Sequence, residues 1–161
     1  MSFCGGANFP ERGAVTDEFL DAMHHLWYDE HPAFHGDFAD FAGVDAYPRP
    51  VQRPLPVVIG GHTQRAYRRA VARGQGWYGF ALTPETAAAP IAGLKAAAAQ
   101  VSRPDELGPL ELTVTPRGRL TKEKAAAFAE LGVHRLVPFP SLTPEGIAAT
   151  IDSAVEAVEG L

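Results

Sequence analysis

The sequence predicts an α/β fold built on a parallel sheet, and three observations carry that prediction. Short β-branched or aromatic runs alternate with longer alanine-bearing segments of helical period: "VVIGG" with "TQRAYRRAVARG", "GWYGF" with "PETAAAPIAGLKAAAAQV", "LELTVTP" with "TKEKAAAFAELG", and "HRLVPFP" with "TPEGIAATIDSAVEAVEGL". Helix-start residues stand where helices should begin, with Thr121 and Thr143 as caps and Pro84 near a first turn, and Gly74 and Gly132 stand where helices should stop. A strand–helix unit repeated four times implies parallel strands joined by right-handed crossovers.

Upstream of these units, "TDEFLDAMHHLWYDE" reads as a first helix. Thr16 is its expected cap, Asp17 and Glu18 suit the positive N-terminal dipole, and Phe19, Met23, Leu26 and Trp27 recur at helical spacing. The following "HPAFHGDFADFAGVDAYPRPVQRPLP" is irregular, with a short hairpin expected around His35-Gly36-Asp37 and with prolines that bar it from being a central strand. In the regular half, Pro90 is expected to kink its helix, and the alanine runs to face neighbouring elements. No linker or composition shift divides residues 1–161, which read as a single domain.

The composition excludes several function classes. The chain has 161 residues, 46% of them hydrophobic, and 14 Lys and Arg against 19 Asp and Glu give a net charge of −5. That balance argues against nucleic acid as a partner. No apolar run approaches the ~18 residues that cross a bilayer, no signal pattern opens the chain, and no membrane association is expected. Cys4 is the single cysteine, so no internal disulfide forms and a reducing cytoplasm is the expected setting; a catalytic role for it is not expected. His24, His25, His31 and His35 form no His-x-x-x-His pair with a carboxylate motif, and no metal is expected.

The chemistry concentrates where "VVIGG" meets "HTQRAYRRAVARG". A strand–Gly–Gly–polar–helix junction leaves first-turn amides without helical partners, adds the positive end of the dipole, and lets a ligand approach the backbone closely. Phosphate is the natural guest, with Thr63 offering a hydroxyl, His62 an imidazole, and Arg65 or Arg68 a charge. The bland alternative is a tight turn in which Thr63 only caps the helix. Trp77, Tyr78 and Phe80 read in the same way as core residues of a strand, and Arg65, Arg68, Arg69 and Arg73 as a solvated helix face.

Taken in order, "ERGAVTDEFLDAMHHLW", then "AFHGDFADFAGVDAYPRPVQRPLPVVIGGHTQRAYRRAVARGQGWYGF", resemble the luciferase-like monooxygenase family, and most closely its deazaflavin-dependent branch. The resemblance spans Glu11 to Phe80 by motif and the later strands by topology. It implies a (β/α)₈ TIM-barrel-like fold, of which this chain is a half-barrel of four parallel βα units resembling the C-terminal half. It also implies an FMN or coenzyme F420 cofactor. Gly60, Gly61, His62 and Thr63 would correspond to the phosphate-binding turn, and Gly76, Trp77 and Tyr78 to the tip of the next strand near the cofactor's polar tail. His62 is the one acid/base candidate at that mouth; His134 lies at the opposite end. Where the family usually has Gly-Asp-Gly-Trp, this chain has Gln75 in place of the acid. The family's four preceding strand–helix units, with much of its ring-binding wall, have no counterpart in this sequence; Met1 to Pro10 would be a remnant of a strand loop or a new start.

Four parallel strands with helices on one side leave the other face bare, whereas parallel sheets are normally covered on both. About a dozen inward side chains would expose roughly 600 Å², worth on the order of 15 kcal/mol if mostly apolar. A homodimer of half-barrels is the expected solution, with a separate chain carrying the complementary half as the other. "LELTVTP" bears on this estimate: if Glu111, Thr113 and Thr115, not Leu110, Leu112 and Val114, face inward, the bare face is more polar. The expected function is a flavin- or deazaflavin-dependent oxidoreductase acting on a small-molecule substrate. The alternative is a non-catalytic relic or cofactor-binding module that keeps the turn and lacks the ring pocket.

Overall fold

The computed structural model describes residues 9–159, so Cys4 and the start of the chain lie outside the described residues. Two compact units form, Met1–Leu55 and Pro56–Leu161. They part within the proline-rich stretch.

In the first unit, a 3₁₀ turn at Phe9–Glu11 leads into α1 (Arg12–Tyr28). The helix starts four residues before its expected cap. Thr16 is not a cap: its hydroxyl donates back to the Arg12 carbonyl at 2.7 Å, which an interior threonine can do without stopping the helix. The expected hairpin is present as β1 (Ala33–His35) and β2 (Asp40–Ala42), antiparallel, with Phe34 opposite and stacked on Phe41. Its tip is held by one side chain, Glu18. The carboxylate accepts the amides of Phe38 (2.6 Å), Ala39 (2.7 Å) and Asp37 (3.1 Å), and a Cβ at Gly36 would collide with it. Further along, Arg49 donates to the carbonyls of Asp29 and Glu30 and to Asp45, and the Leu55 amide donates to the Tyr28 hydroxyl at 2.6 Å. Side-chain anchors of this kind replace the ladder that the prolines forbid.

Partial loss of hydration raises the Glu18 carboxyl, but the amides of Phe38, Ala39 and Asp37 outweigh it and hold the group below its ordinary 4.5. A depressed carboxyl stabilises the fold above its unfolded value, and that contribution disappears as pH falls through the lowered folded value. The expected result is that the amide resonances of Phe38 and Ala39 stay constant from pH 7 to 5 and move together below pH 4.5. In Glu18→Gln they should lack this transition at every pH.

The second unit contains β3 (Val58–Gly60), α2 (Gln64–Arg73), β4 (Gly76–Leu82), α3 (Pro84–Ala98), β5 (Glu111–Pro116), α4 (Lys122–Glu130), β6 (Arg135–Leu136) and α5 (Pro144–Val158). The strands lie in the order β3-β4-β5-β6 and every pair is parallel, so each βα unit adds its strand beside the last. Thr63, Thr83, Thr121 and Thr143 each accept an amide of the first turn and cap the four helices. Pro90 sits buried inside an unbroken α3, whose buried positions, Ala87, Pro90, Ile91, Leu94 and Ala97, keep helical spacing. β6 is shorter than its sequence suggests because Pro138 and Pro140 bring no N–H to the ladder.

Register assigns the faces. Ile59, Trp77 and Leu112 are cross-strand partners, as are Gly79, Val114 and Leu136, and this set faces the helices, where Trp77, Val114, Val71 and Phe128 are the largest fully buried side chains. Gly60, Tyr78, Thr113 and Arg135 align on the opposite face, with Val58, Gly76 and Glu111 one step below. Thus β5 turns its polar set to the open side, with Arg135 paired to Glu111 at 2.9 Å. The bare face is less apolar than the sequence estimate assumed. It carries exposed Val58, Phe80 and Val137 and the Arg135–Glu111 ion pair, with the Thr113 and Thr115 hydroxyls buried beneath neighbouring side chains.

Candidate functional site

The Gly60–Thr63 turn lies at the C-terminal end of β3, where the strand gives way to α2. Gly61 has φ +112, and a Cβ there would meet the Ala66 Cβ at 3.1 Å, so glycine is required for the corner. Gly60 differs: its backbone is ordinary and a Cβ would meet nothing within 4 Å, because it opens onto the bare sheet face. Residues 60 to 65 are all exposed, so the corner is not filled by the protein's own side chains. Thr63 accepts the Ala66 amide at 3.2 Å, leaving the amides of Gln64 and Arg65 as first-turn donors without helical acceptors. The capping role and the anion role therefore coexist: the threonine uses one donor and the turn presents the others.

Trp77 braces this corner. Its indole N–H donates to the Gly61 carbonyl at 2.9 Å, and its ring meets His62 edge-on at 5.6 Å and Tyr67 at 6.2 Å. Fully buried on the helix side, Trp77 positions the turn and touches no open surface. Gly76 and Trp77 do not form a strand tip: they begin β4, which continues to Leu82 before Thr83 caps α3. Tyr78 is the member of that trio with a side chain on the open face, level with Gly60, and its hydroxyl lies 2.5 Å from Thr115 Oγ1. Of the two arginines expected nearby, Arg68 is engaged with Gln100 at 3.1 Å, while Arg65 is exposed on the first turn.

Gln75 joins the N-terminal starts of β3 and β5, at the opposite end of the strands from the corner. The Gln75 side-chain oxygen accepts the Val57 amide at 2.7 Å, its own amide donates to the Val57 carbonyl, and its carbonyl accepts the Glu111 amide. An oxygen acceptor is what this position uses, and an amide supplies it as a carboxylate would. Arg103 was not visible as a structural residue in the sequence. Its guanidinium donates to the carbonyls of Ala70, Val71 and Gly74, closing the far end of α2, and its burial lowers its basicity. In the first unit, His25 pairs with Asp29 and His35 with Asp40, each at 2.6 Å. Among the described residues no helix is long and apolar enough to cross a membrane.

The comparisons relate this four-stranded parallel sheet and its helices to a known barrel fold. The luciferase-like monooxygenase family matches residues 3–150, and this chain belongs to that family. A FMNH2-dependent dimethylsulfone monooxygenase of Pseudomonas putida is 37% identical over 68 residues, which is 42% of this chain and 19% of that protein. An uncharacterized protein of Mycobacterium tuberculosis is 29% identical over 145 residues, 88% of this chain and 49% of that protein. The fold also superposes on an F420-dependent secondary alcohol dehydrogenase in complex with an F420-acetone adduct. That match has a TM-score of 0.56 at 20% identity and covers 78% of this chain and 38% of the other. The chain thus matches half or less of each relative's length.

Proposed function

We propose that this chain is a flavin- or deazaflavin-dependent oxidoreductase module, cytoplasmic, with the cofactor's phosphate on the Gly60–Thr63 turn. The observation that carries the reading is the open corner itself. Gly60 and Gly61 clear the approach, the Gln64 and Arg65 amides are donors without helical partners, and Arg65 adds charge, in a family with FMNH2- and F420-dependent members. Gly61, fixed by Trp77, would present the amides, and His62 would stand beside the bound group as the acid/base candidate. The cofactor, when bound, supplies the two-electron chemistry; the protein binds and orients it. Titration with FMN and with F420 tests this: micromolar binding of one of them, lost on placing a carboxylate in the turn, is the expected result. No binding of either at 1 mM would contradict it.

The reading includes a homodimer of half-barrels, and the alternative supplier of the other half is a separate chain. Supporting it are two parallel edges, β3 and β6, with no further strand beside them among the described residues, and an apolar stripe on α5 at helical spacing. Ile147, Ile151, Val155 and Val158 of that stripe are 44%, 57%, 59% and 49% exposed, too apolar a face for a helix meant only for water. A twofold axis along the strands would bring β6 of one copy beside β3 of its partner. Sedimentation at micromolar concentration should show a dimer that Ile151→Glu with Val155→Glu converts to monomer; a compact wild-type monomer would refute it.

A further inference from the structure

The phosphate turn sits on an edge strand, and that placement decides how many cofactors a pair of chains can hold. β3 is the first of the four strands in the sheet and β6 the last. Every pairing is parallel, so the C-terminal ends of the strands share one end of the sheet, and the Gly60–Thr63 turn lies at that end. The turn also has a side. A Cβ at Gly60 would meet nothing within 4 Å, and Gly60 aligns with Tyr78 and Thr113 on the face opposite the helices.

A twofold axis along the strands preserves strand direction, so the turns of both copies open at the same end of the assembly. The strand order then sets their separation. With β6 of each copy beside β3 of the other, the two β3 strands stand four places apart in a ring of eight, on opposite sides. Strands about 4.8 Å apart, tilted as closed eight-stranded sheets require, put opposite strands roughly 15 Å from each other. Both turns therefore face one enclosed space across its width. An eight-stranded interior has room for packed side chains or for one small ligand. Here each copy already contributes Tyr78, tied to Thr115 at 2.5 Å, and the Arg135–Glu111 pair.

We infer that the two phosphate turns of a dimer exclude one another: one cofactor molecule occupies the shared opening, and the second turn stays empty. This deepens the oxidoreductase reading and rests on both the cofactor turn and the homodimer proposed with it. Across such a distance salt and water largely screen one phosphate from the other. The exclusion is therefore steric, and it comes from the body of the cofactor beyond its phosphate. Two identical sites then behave as one, and the loaded dimer is an asymmetric, half-liganded state.

Calorimetric titration of FMN into the full chain, at concentrations where sedimentation shows the dimer, reads the ratio. One FMN per two chains is the expected result. A mixed dimer of one wild-type and one Gly60→Asp copy, isolated through different tags on the two chains, should also bind one FMN, because a single intact turn suffices. Independent turns would give two FMN per wild-type dimer and one per mixed dimer, which overturns the inference. One FMN per wild-type dimer with half an equivalent per mixed dimer would mark a half-inactive preparation with independent turns, and overturns it as well. A wild-type monomer that binds one FMN per chain defeats the dimer, and this inference with it, and leaves the turn. A dimer that binds no FMN defeats the turn.

Discussion

Gly60→Asp is expected to weaken FMN binding about a hundredfold without disturbing the fold. The position suits this test better than Gly61. A side chain at Gly60 meets nothing within 4 Å and needs no unusual backbone, whereas any residue at Gly61 inherits φ +112 and a close Ala66 contact. Gly61→Asp would mix strain of about 1–3 kcal/mol with charge, and Gly60→Asp isolates charge. Two unit charges about 5 Å apart repel by about 0.8 kcal/mol at the dielectric of water and about 3 kcal/mol at an effective value near 20. A phosphate monoester carries nearly two charges, so a loss of roughly a hundredfold lies inside that range. Gly60→Asn, of the same size and uncharged, should bind FMN within a few-fold of wild type. Raising ionic strength to 0.5 M should narrow the gap between the Asp and Asn variants, because exposed charges are screened. Fluorescence titration at two salt concentrations checks all three statements.

Trp77→Ala should have the largest effect on stability. The indole is fully buried, packs on Tyr67 and His62, and donates to the Gly61 carbonyl. Truncating a buried tryptophan costs about 3–5 kcal/mol, a large part of the 5–15 kcal/mol that holds a domain together. A fall of roughly 10–20 °C in the thermal midpoint follows. Trp77→Phe separates packing from bracing. It keeps most of the ring volume and removes the N–H donor, so it should cost about 1 kcal/mol for the lost hydrogen bond. Because the lost partner is the Gly61 carbonyl, FMN affinity should fall by about tenfold. Calorimetry and the FMN titration together distinguish a positioning tryptophan from a merely structural one.

Much of the regular half was legible because its signals are local. Strand–helix alternation, threonine caps and the glycine corner depend on neighbours within four residues, and each stands where the sequence places it. Thr16 misled because a threonine hydroxyl serves an interior helix carbonyl as readily as a first-turn amide, and only the preceding backbone decides which. Glu18 looked like a dipole residue, yet its partners lie about twenty residues away in a hairpin tip. The direction of β5 was undecidable from alternation alone, since a period of two gives two faces without saying which is covered. Register against Trp77 resolves it. Trp77 itself was weighed as core against cofactor contact; it is core, and it acts on the corner through one hydrogen bond. The register shift of β4 against β5 between Gly79 and Leu82, where Ala81 sits at φ +56, carries no sequence signal, because alanine is not a residue that marks left-handed backbone.

The proposed function requires that the backbone amides at the start of α2 hold a phosphate. Amide-resolved NMR of the labelled chain during an FMN titration asks this most directly. The amides from Gly61 to Arg65 should shift first and furthest, saturating together with the phosphorus resonance of FMN. Saturation of the phosphorus signal with those amides unmoved would contradict it.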